Sequence, residues 1–423
     1  MNCYQIHNTK ICGWFSPRSK TFGIVLEYQL VRVMPIKPSE ILSLLDRKRE
    51  EFMSFDQAAL QALQQYGTAL IQMSQKSDQA LLKALEEMQD CGARPIEPLG
   101  LFPEWVMHSN LSWQNREESL EWVRDRITGI STFSVDGSQI YPSKDFSIPV
   151  ALVQIGWFEN DHLPSNQYEK DIKVDIMTPN DLKVGRGDLA DRRVNLRRFE
   201  MECDRIIQYM EEHAGSQSCL AFFDGSLIAT FAEAFDEETR TFYVRCIRSV
   251  LEASEDYRVP VVGYVDTSSA RDLTEMLQRL CNLPESKTIH DAQLLNRAKN
   301  KMQWGDRTPI FLSQRPGIRD LYGYHRDRVA FTYLKTNKDS YPARIELPLW
   351  IYEEGWHDRI LDWVRAEIVI GGGYPYVIET ADQVAVLKND DRQTFYRLLQ
   401  DWAEKEDLTL RLSRKMISKA RRR

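Results

Sequence analysis

Two copies of one short pattern place an aspartate where an apolar strand gives way to glycine and serine. The first copy is Phe133-Ser-Val-Asp136-Gly-Ser138, and the second is Phe222-Phe-Asp224-Gly-Ser226. A buried strand that ends in Asp-Gly delivers a carboxylate to the edge of a sheet, where water can enter. Either copy alone is an ordinary turn signal. If their strands pair, the two carboxylates form a hard, oxygen-rich site of the kind that Mg²⁺ or Mn²⁺ prefers.

Three further carboxylates extend this set. Asp266 follows an apolar run, Glu200 lies beside the apolar face of a predicted helix, and Asp382 lies near the start of a later helix. Two divalent ions held by such acids can activate water, neutralise charge on phosphorus and assist the leaving oxygen. Those are the needs of phosphodiester hydrolysis by metal-activated water, without a covalent enzyme intermediate. The set of five acids, rather than any one of them, predicts a centre for two Mn²⁺ or Mg²⁺ ions.

Strands that alternate with helices must position these acids, and this order predicts an α/β fold with a mixed sheet flanked by helices. Apolar runs predict strands over 130–135, 150–158, 172–176, 219–223, 259–265, 309–312, 329–334 and 343–351. Helical periodicity predicts helices over 119–127, 196–212, 237–253, 272–280, 290–299 and 357–370. The first two strands are expected to form a hairpin. Ligands in such sheets collect at the strand ends, where the acids fall.

An N-terminal helical arm or hairpin is predicted over residues 39–88. An apolar side chain recurs every seven positions from Leu45 to Met73. Such a seam packs against another helix, either within the chain or in a second subunit, and both possibilities remain open. The predicted organisation is an unstructured extension or mis-assigned start (1–33), a helical arm and linker (34–128), the α/β domain (129–405) and a basic tail (406–423).

Composition restricts the class of protein without identifying it. The 423 residues carry a net charge of −7, which does not indicate nucleic-acid binding, although the chain ends in Arg421-Arg-Arg423. Seven cysteines are scattered without a Cys-x-x-Cys pair, which is typical of the reducing cytoplasm. The sequence contains no apolar run of membrane-spanning length. We therefore expect a cytoplasmic protein without a membrane partner.

The order of motifs resembles the NurA nuclease domain from about residue 130 to about residue 399. The matching motifs are Val135-Asp136-Gly-Ser138, Arg197-x-x-Glu200, Phe223-Asp224-Gly-Ser226, Val262-Gly263 and Tyr374-Pro375-Tyr. The two Asp-Gly-Ser motifs at this separation are the most specific part of the resemblance. The stretch Ser134-Val-Asp-Gly-Ser-Gln-Ile-Tyr-Pro142 is similar to that of cyanobacterial NurA-domain proteins.

This resemblance implies an RNase H-like core with Mn²⁺-dependent exonuclease and single-strand endonuclease activity on DNA. It also implies a homodimer that processes double-strand breaks with a hexameric HerA-type translocase. Asp136, Glu200 and Asp224 inherit the catalytic, metal-binding role, and Asp266 and Asp382 are further candidate ligands. The residues expected to contact nucleic acid are Ser138, Ser226, Arg197, Arg271 and Tyr374.

Two positions depart from the family pattern. The family usually has a lysine after the Val-Gly strand, where this chain has Asp266, and an Ala-His pair where it reads Ala381-Asp382. Aspartate can replace histidine as a ligand of a hard metal ion. A catalytically weakened nucleic-acid-binding or scaffold subunit of a HerA-type complex is therefore the alternative. An RNA-directed nuclease is a third possibility, because one fold can serve both polymers.

Overall fold

The computed structural model describes residues 3–6, 9–12, 36–88, 90–165, 167–183, 190–296 and 302–411. Two compact units divide the chain, residues 1–58 and residues 59–423. In the first unit, strands β1 (Cys3–Ile6) and β2 (Thr9–Cys12) pair antiparallel, and helix α1 spans Pro38–Arg47. Most of the predicted N-terminal extension (1–33) and of the basic tail (406–423) lies outside the described residues.

The second unit contains a nine-stranded mixed sheet. Its strands are β3 (Gly92–Pro95), β4 (Ser131–Ile140), β5 (Ala151–Asn160), β6 (Tyr168–Met177), β7 (Cys219–Asp224), β8 (Val261–Val265), β9 (Phe311–Gln314), β10 (Val329–Leu334) and β11 (Ala343–Pro348). They lie in the order β3-β9-β10-β11-β8-β7-β4-β5-β6. The neighbours β4, β7 and β8 run parallel, and every other described pair is antiparallel.

Five consecutive strands of this sheet confirm the predicted RNase H-like arrangement. An antiparallel meander, β4-β5-β6, comes first in the chain, and its leading strand lies in the middle of the five. The next two strands, β7 and β8, then add in parallel on the other side of β4. This order places the residues at the carboxyl ends of β7 and β8 beside the second half of β4.

Helices cover both faces of the sheet. The chain order is α2 (Arg49–Ser74), α3 (Asp78–Glu86), α4 (Arg116–Ile127), α5 (Ala190–Glu212), α6 (Glu237–Tyr257), α7 (Asp272–Cys281), α8 (Asp291–Asn296), α9 (Leu349–Glu353), α10 (His357–Ile370), α11 (Tyr376–Ala385) and α12 (Asn389–Lys405). Alternate residues of β7 show the two layers. Ala221 and Phe223 pack in the core with α5 and α6, whereas Leu220 and Phe222 pack in the core with α10 and α11.

Several elements differ from the sequence prediction. The helix expected over 39–88 is three helices, α1 to α3, and the helical arm and linker expected over 34–128 also contains the edge strand β3. The last predicted strand ends at Pro348, and helix α12 was not predicted. Among the described residues, none of the helices has the length and hydropathy needed to cross a membrane.

The apolar seam of the predicted arm has two different environments. Ala59, Tyr66 and Met73, in the second unit, are buried, and Tyr66 packs in a core with Leu277 of α7. Leu45 and Phe52, in the first unit, are exposed. The seven-residue repeat therefore marks a packing face within the chain for the carboxyl-terminal half of α2.

Candidate metal centre

The sheet register brings the two Asp-Gly-Ser aspartates level with each other. Strands β4 and β7 pair in parallel with Ser134 opposite Phe222, so Asp136 and Asp224 stand two residues farther along each strand. Neighbouring strands are about 4.8 Å apart. The prediction that Asp136 ends its strand was wrong, because β4 continues through Gly137 to Ile140. Asp224 does end β7, as predicted.

Helix α5 adds a buried acid, Glu202, that the sequence analysis did not select. Its Oε1 accepts a hydrogen bond from Arg198 Nη1 at 2.5 Å, one helical turn away. Both side chains pack over Gly137, and a Cβ atom at that position would overlap the Glu202 carboxylate and the Arg198 stem. Glycine at 137 therefore allows α5 to approach β4 closely enough to place Glu202 beside Asp136.

Asp382 reaches the same place from the opposite face of the sheet. Helix α11 packs on β5 through Gly156, which lies opposite Asp136 in the β4–β5 register. The carboxyl group of Asp382 lies close enough to that of Asp136 to raise the Asp136 pKa through a side-chain interaction and through its charge. The structure thus brings Asp382, predicted as a ligand, into contact with Asp136.

The carboxyl groups of this cluster resist simultaneous ionisation. Burial raises the pKa of Glu202 to about 8; Arg198 opposes this shift, while Asp136 and Asp224 add to it. Burial also raises the pKa of Asp136 to about 6, with the Gly137 amide and Arg198 opposing and Asp382 adding. The pKa of Asp224 is raised by burial and by Asp382, against a hydrogen bond from Tyr374. Three acids with raised pKa values therefore lie at a single site, and bound cations would stabilise their ionised forms.

Glu200 lies away from this cluster. Its Oε2 accepts a hydrogen bond from Arg197 Nη1 at 2.9 Å, and its Oε1 is 3.7 Å from Arg245 Nη2 on α6. Residues two apart on a helix point in directions that differ by about 200°. Arg197 is likewise engaged elsewhere, since its Nε donates to Asp175 Oδ2 at 2.7 Å.

The spacing on α5 contained a signal for Glu202. The apolar face predicted for this helix includes Phe199, Cys203 and Ile206. Position 202 is three residues after Phe199 and four residues before Ile206, so its side chain shares that buried face. Position 200 is three residues before Cys203 but only one after Phe199, so it lies at the margin of that face, and its side chain is less buried than that of Glu202. A carboxylate that interrupts a buried stripe indicates a functional acid more strongly than one beside it.

The other predicted contacts occupy different surroundings. Asp266 is exposed just beyond the end of β8, and its charge acts on Tyr264 and Tyr374. Arg271 lies 3.8 Å from Glu275 in a separate cavity of about 300 Å³. Tyr374 does reach the cluster, where its hydroxyl donates to Asp224 Oδ1 at 3.3 Å.

Both motif serines make structural hydrogen bonds. Ser138 Oγ accepts from the Leu387 amide at 3.3 Å, and Ser226 Oγ donates to Glu346 Oε2 at 2.8 Å. These hydrogen bonds hold the segments that flank Asp136 and Asp224. Both serines therefore support the site structurally.

A cavity of about 570 Å³ opens onto the acids. Asp136, Glu202, Asp224 and Arg198 line its polar side. Its apolar side consists of aromatic rings, namely Tyr141, Phe199, Phe223, Phe231, Phe235 and Tyr243. Phe231 and Phe235 are partly exposed, which is the arrangement on which a nucleic-acid base can stack.

The donor chemistry of this cluster suits Mn²⁺ or Mg²⁺, because every acid supplies hard oxygen ligands. In the part of the chain that the structure describes, no three His, Cys, Asp or Glu side chains already form a complete ligand set. Because the pKa values of Asp136 and Glu202 are raised to about 6 and about 8, a divalent ion bound here would displace protons from these acids.

A comparison with known protein families assigns the chain to one of them. The sequence model of the NurA domain matches residues 130–387, and the chain therefore belongs to the NurA domain family. No curated protein sequence matches. A crystal structure of NurA with manganese is 10% identical, with coverage of 69% of this chain and 94% of that chain and a TM-score of 0.38. The catalytic domain of human endonuclease V is 13% identical over 70% of this chain and 92% of that chain, with a TM-score of 0.32.

Gly137→Ala is expected to impair function more than stability. The added methyl group must displace the Glu202 carboxylate and the Arg198 stem, at a cost of about 1–3 kcal/mol in the free energy of unfolding. Cleavage of DNA should fall by at least about tenfold, because Glu202 leaves its position beside Asp136. Urea denaturation and a cleavage assay measure the two effects.

Gly67→Ala is the matched control. Gly67 lies within α2 and has no neighbouring atoms in the way of a methyl group, so this change should stabilise the protein by up to about 1 kcal/mol. Cleavage should be unchanged. Equal losses of cleavage in both variants would contradict the role assigned to Gly137.

Proposed function

We propose that this protein is a metal-dependent deoxyribonuclease that hydrolyses phosphodiesters at DNA ends and in single strands. The observation that carries the proposal is the convergence of Asp136, Glu202 and Asp224 from β4, α5 and β7 on one cavity, with Asp382 of α11 beside Asp136. Each of these elements lies within residues 130–387, the span of the NurA domain match. Membership of that family supports a nuclease, and the acids supply the residues that such chemistry needs.

The proposed cofactor is a pair of Mn²⁺ or Mg²⁺ ions held by Asp136, Glu202 and Asp224, with Asp382 as a further ligand. Such ions supply charge neutralisation at the phosphorus, a nucleophile at neutral pH and help for the leaving oxygen. Related NurA structures with manganese, and with dAMP and manganese, support this choice of ion and ligand class. The acids suit these ions because burial and mutual repulsion disfavour the charged carboxylates, and bound cations would neutralise that charge.

The chain's own groups give the cavity its selectivity. Arg198 Nη1 lies 2.5 Å from Glu202 at the polar side and keeps a positive charge next to the acids, where a phosphate group would enter. Tyr374 holds the Asp224 carboxylate in place through its hydroxyl. The aromatic side of the cavity offers faces on which unpaired bases can stack, which favours single strands and frayed ends over closed duplex.

The biological setting is proposed from the family resemblance. It consists of double-strand break processing in the cytoplasm by a homodimer that works with a HerA-type hexameric translocase. The alternative function is a nucleic-acid-binding or scaffold subunit with weakened catalysis. The observation that favours it is the pair of departures from the family pattern, Asp266 and Asp382.

The test is cleavage of end-labelled DNA with Mn²⁺, Mg²⁺ or EDTA. Single-stranded, double-stranded and RNA substrates are compared, and Asp136→Asn protein purified in parallel controls for contaminating nucleases. We expect loss of label that needs the metal ion and is absent in the variant. DNA binding without cleavage of any substrate would reject the nuclease and select the scaffold function. Cleavage of RNA in preference to DNA would redirect the proposal to that polymer.

A further inference from the structure

Strand β6 is an unprotected edge of the nine-stranded sheet. It pairs with β5 over all ten of its residues, Tyr168–Met177, and no other strand in the described part of the chain pairs with its outer side. Its backbone therefore presents a full row of hydrogen-bonding groups. Natural edge strands are usually short, bulged or covered, because a long exposed edge is a template for another strand.

The side chains of β6 make this edge apolar on one face. Ile172, Val174 and Ile176 alternate along the strand and are 46%, 54% and 47% exposed. In the β5–β6 register they lie opposite Gly156, Gln154 and Leu152, on the face where α11 packs. Three large aliphatic side chains in a row on an open edge are expected to be covered in solution.

We infer that a second copy of this chain pairs with β6, antiparallel and centred on Val174, to give one sheet that continues through both copies. In that register, Val174 faces Val174 of the second copy, and Ile172 faces the other copy's Ile176. The three aliphatic side chains of each copy then form one six-residue cluster. On the opposite face, Lys173 faces Asp175 of the second copy, and the symmetry repeats this pair.

The sequence of β6 favours this register over its neighbours. Pairing centred on Lys170, Asp171, Lys173 or Asp175 places identical charges directly opposite each other. Pairing centred on Ile172 sets Glu169 against Asp175. Only the register centred on Val174 avoids every like-charge pair among these, and it also matches the aliphatic residues.

The charges of the strand also argue for a protein partner rather than nucleic acid. Glu169, Asp171 and Asp175 outnumber Lys170 and Lys173. In addition, Asp175 already accepts a hydrogen bond from Arg197 at 2.7 Å. A polyanion would meet net negative charge here, whereas a second β6 supplies a lysine for each Asp175.

The pairing has a consequence for the candidate metal centre. A two-fold axis perpendicular to the sheet keeps the same face upward in both copies. Helix α11, which carries Asp382 and borders the aliphatic stripe, would then lie on the same face of the shared sheet in each copy. The inference rests on the homodimer of the proposed function, to which it adds the surface and the register, and it does not depend on catalysis.

Val174→Glu tests the interface, with Leu398→Glu as a matched control. Leu398 is an exposed leucine on α12, far along the chain from β6. We expect wild-type protein and Leu398→Glu to sediment at twice the mass of the chain. Val174→Glu should raise the dimer dissociation constant by at least about tenfold, because two carboxylates would face each other. A monomeric wild type, or a dimer that Val174→Glu leaves intact, would overturn the inference.

A cysteine scan tests the register. Under mild oxidation, Val174→Cys should form a disulfide-linked dimer, because directly opposite residues have Cα atoms about 5 Å apart. Ile172→Cys should not, because its counterpart in the second copy lies about 13 Å away along the strand. Wild type reports any cross-linking by the native cysteines. Efficient cross-linking of Ile172→Cys but not Val174→Cys would refute the register. Loss of dimer with normal cleavage would separate this inference from the nuclease proposal.

Discussion

Glu202→Gln is expected to lower the rate of DNA cleavage by about 10²–10³-fold, whereas Glu200→Gln should leave it within about twofold. The two residues are two positions apart on α5 and carry the same side chain, so the pair is closely matched. Glu202 lies beside Asp136 and next to Arg198. Glu200 pairs with Arg197 and lies near Arg245 at the surface of the helix.

Glu202→Gln should lower the rate of cleavage without lowering the free energy of unfolding. Burial raises the pKa of Glu202 to about 8, so its charged form is penalised in the folded protein at neutral pH. A neutral glutamine of the same size removes that penalty, and Glu202→Gln should unfold at the same urea concentration as wild type or a higher one. Loss of cleavage therefore cannot be attributed to loss of folded protein.

Single-turnover cleavage of labelled single-stranded DNA in Mn²⁺, together with urea denaturation, measures both effects. A third variant, Asp224→Asn, provides the reference for loss of an acid of the same cluster. An inactive Glu200→Gln protein beside an active Glu202→Gln protein would reverse the assignment. It would restore the Arg197-x-x-Glu200 motif as the functional one and show that α5 rotates in the working enzyme.

The sequence located both strand acids of the cluster, Asp136 and Asp224, but only one of its two helix acids, Asp382. Asp136 and Asp224 are each marked by an apolar run on one side and Gly-Ser on the other, so composition alone places both on strands, although only Asp224 ends its strand. A helix residue needs the helix to be correctly phased as well. The Arg197-x-x-Glu200 motif indicates position 200, whereas the helical spacing of Phe199 and Ile206 indicates position 202.

Because both faces of the sheet are buried, the alternation of apolar and polar residues along a strand does not show which side chains are exposed. In β11, Ile345 and Leu347 alternate with Arg344 and Glu346, a pattern typical of one buried and one solvated face. The structure buries all four, because helices cover both sides of the sheet, and Arg344 and Glu346 are at most 1% exposed. Whether such charged side chains are solvated depends on which helices pack on the strand. The sequence of the strand alone does not contain that information.

Arg344→Met is expected to lower the free energy of unfolding by about 3–5 kcal/mol, because it leaves a buried carboxylate without its cation. Arg344 Nε donates to Glu346 Oε1 at 2.6 Å, and its Nη1 donates to Asp272 Oδ2 at 3.0 Å. Although burial alone would raise it, the charges of Arg315 and Arg344 lower the pKa of Asp272 to about 2. Asp272 is therefore ionised at neutral pH and is stabilised by both arginines.

Arg197→Met provides the control for the loss of an arginine that is half-exposed. Its ion pairs with Asp175 and Glu200 are open to solvent, and such pairs contribute about 0–1 kcal/mol. Urea denaturation of the two variants at neutral pH gives the comparison. Similar losses in both would mean that the buried network contributes no more than a surface pair.

The buried network also connects stability with the candidate site. Glu346 Oε2 accepts hydrogen bonds from the Leu227 amide at 2.7 Å and from Ser226 Oγ at 2.8 Å, in the turn directly after Asp224. Without Arg344, the buried Glu346 side chain loses its hydrogen bond and ion pair to the guanidinium group, and the position of Asp224 should become less defined. Arg344→Met should therefore cleave DNA more slowly than wild type even at a temperature where both are fully folded. Normal cleavage by the folded variant would mean that the network stabilises the sheet but does not position Asp224.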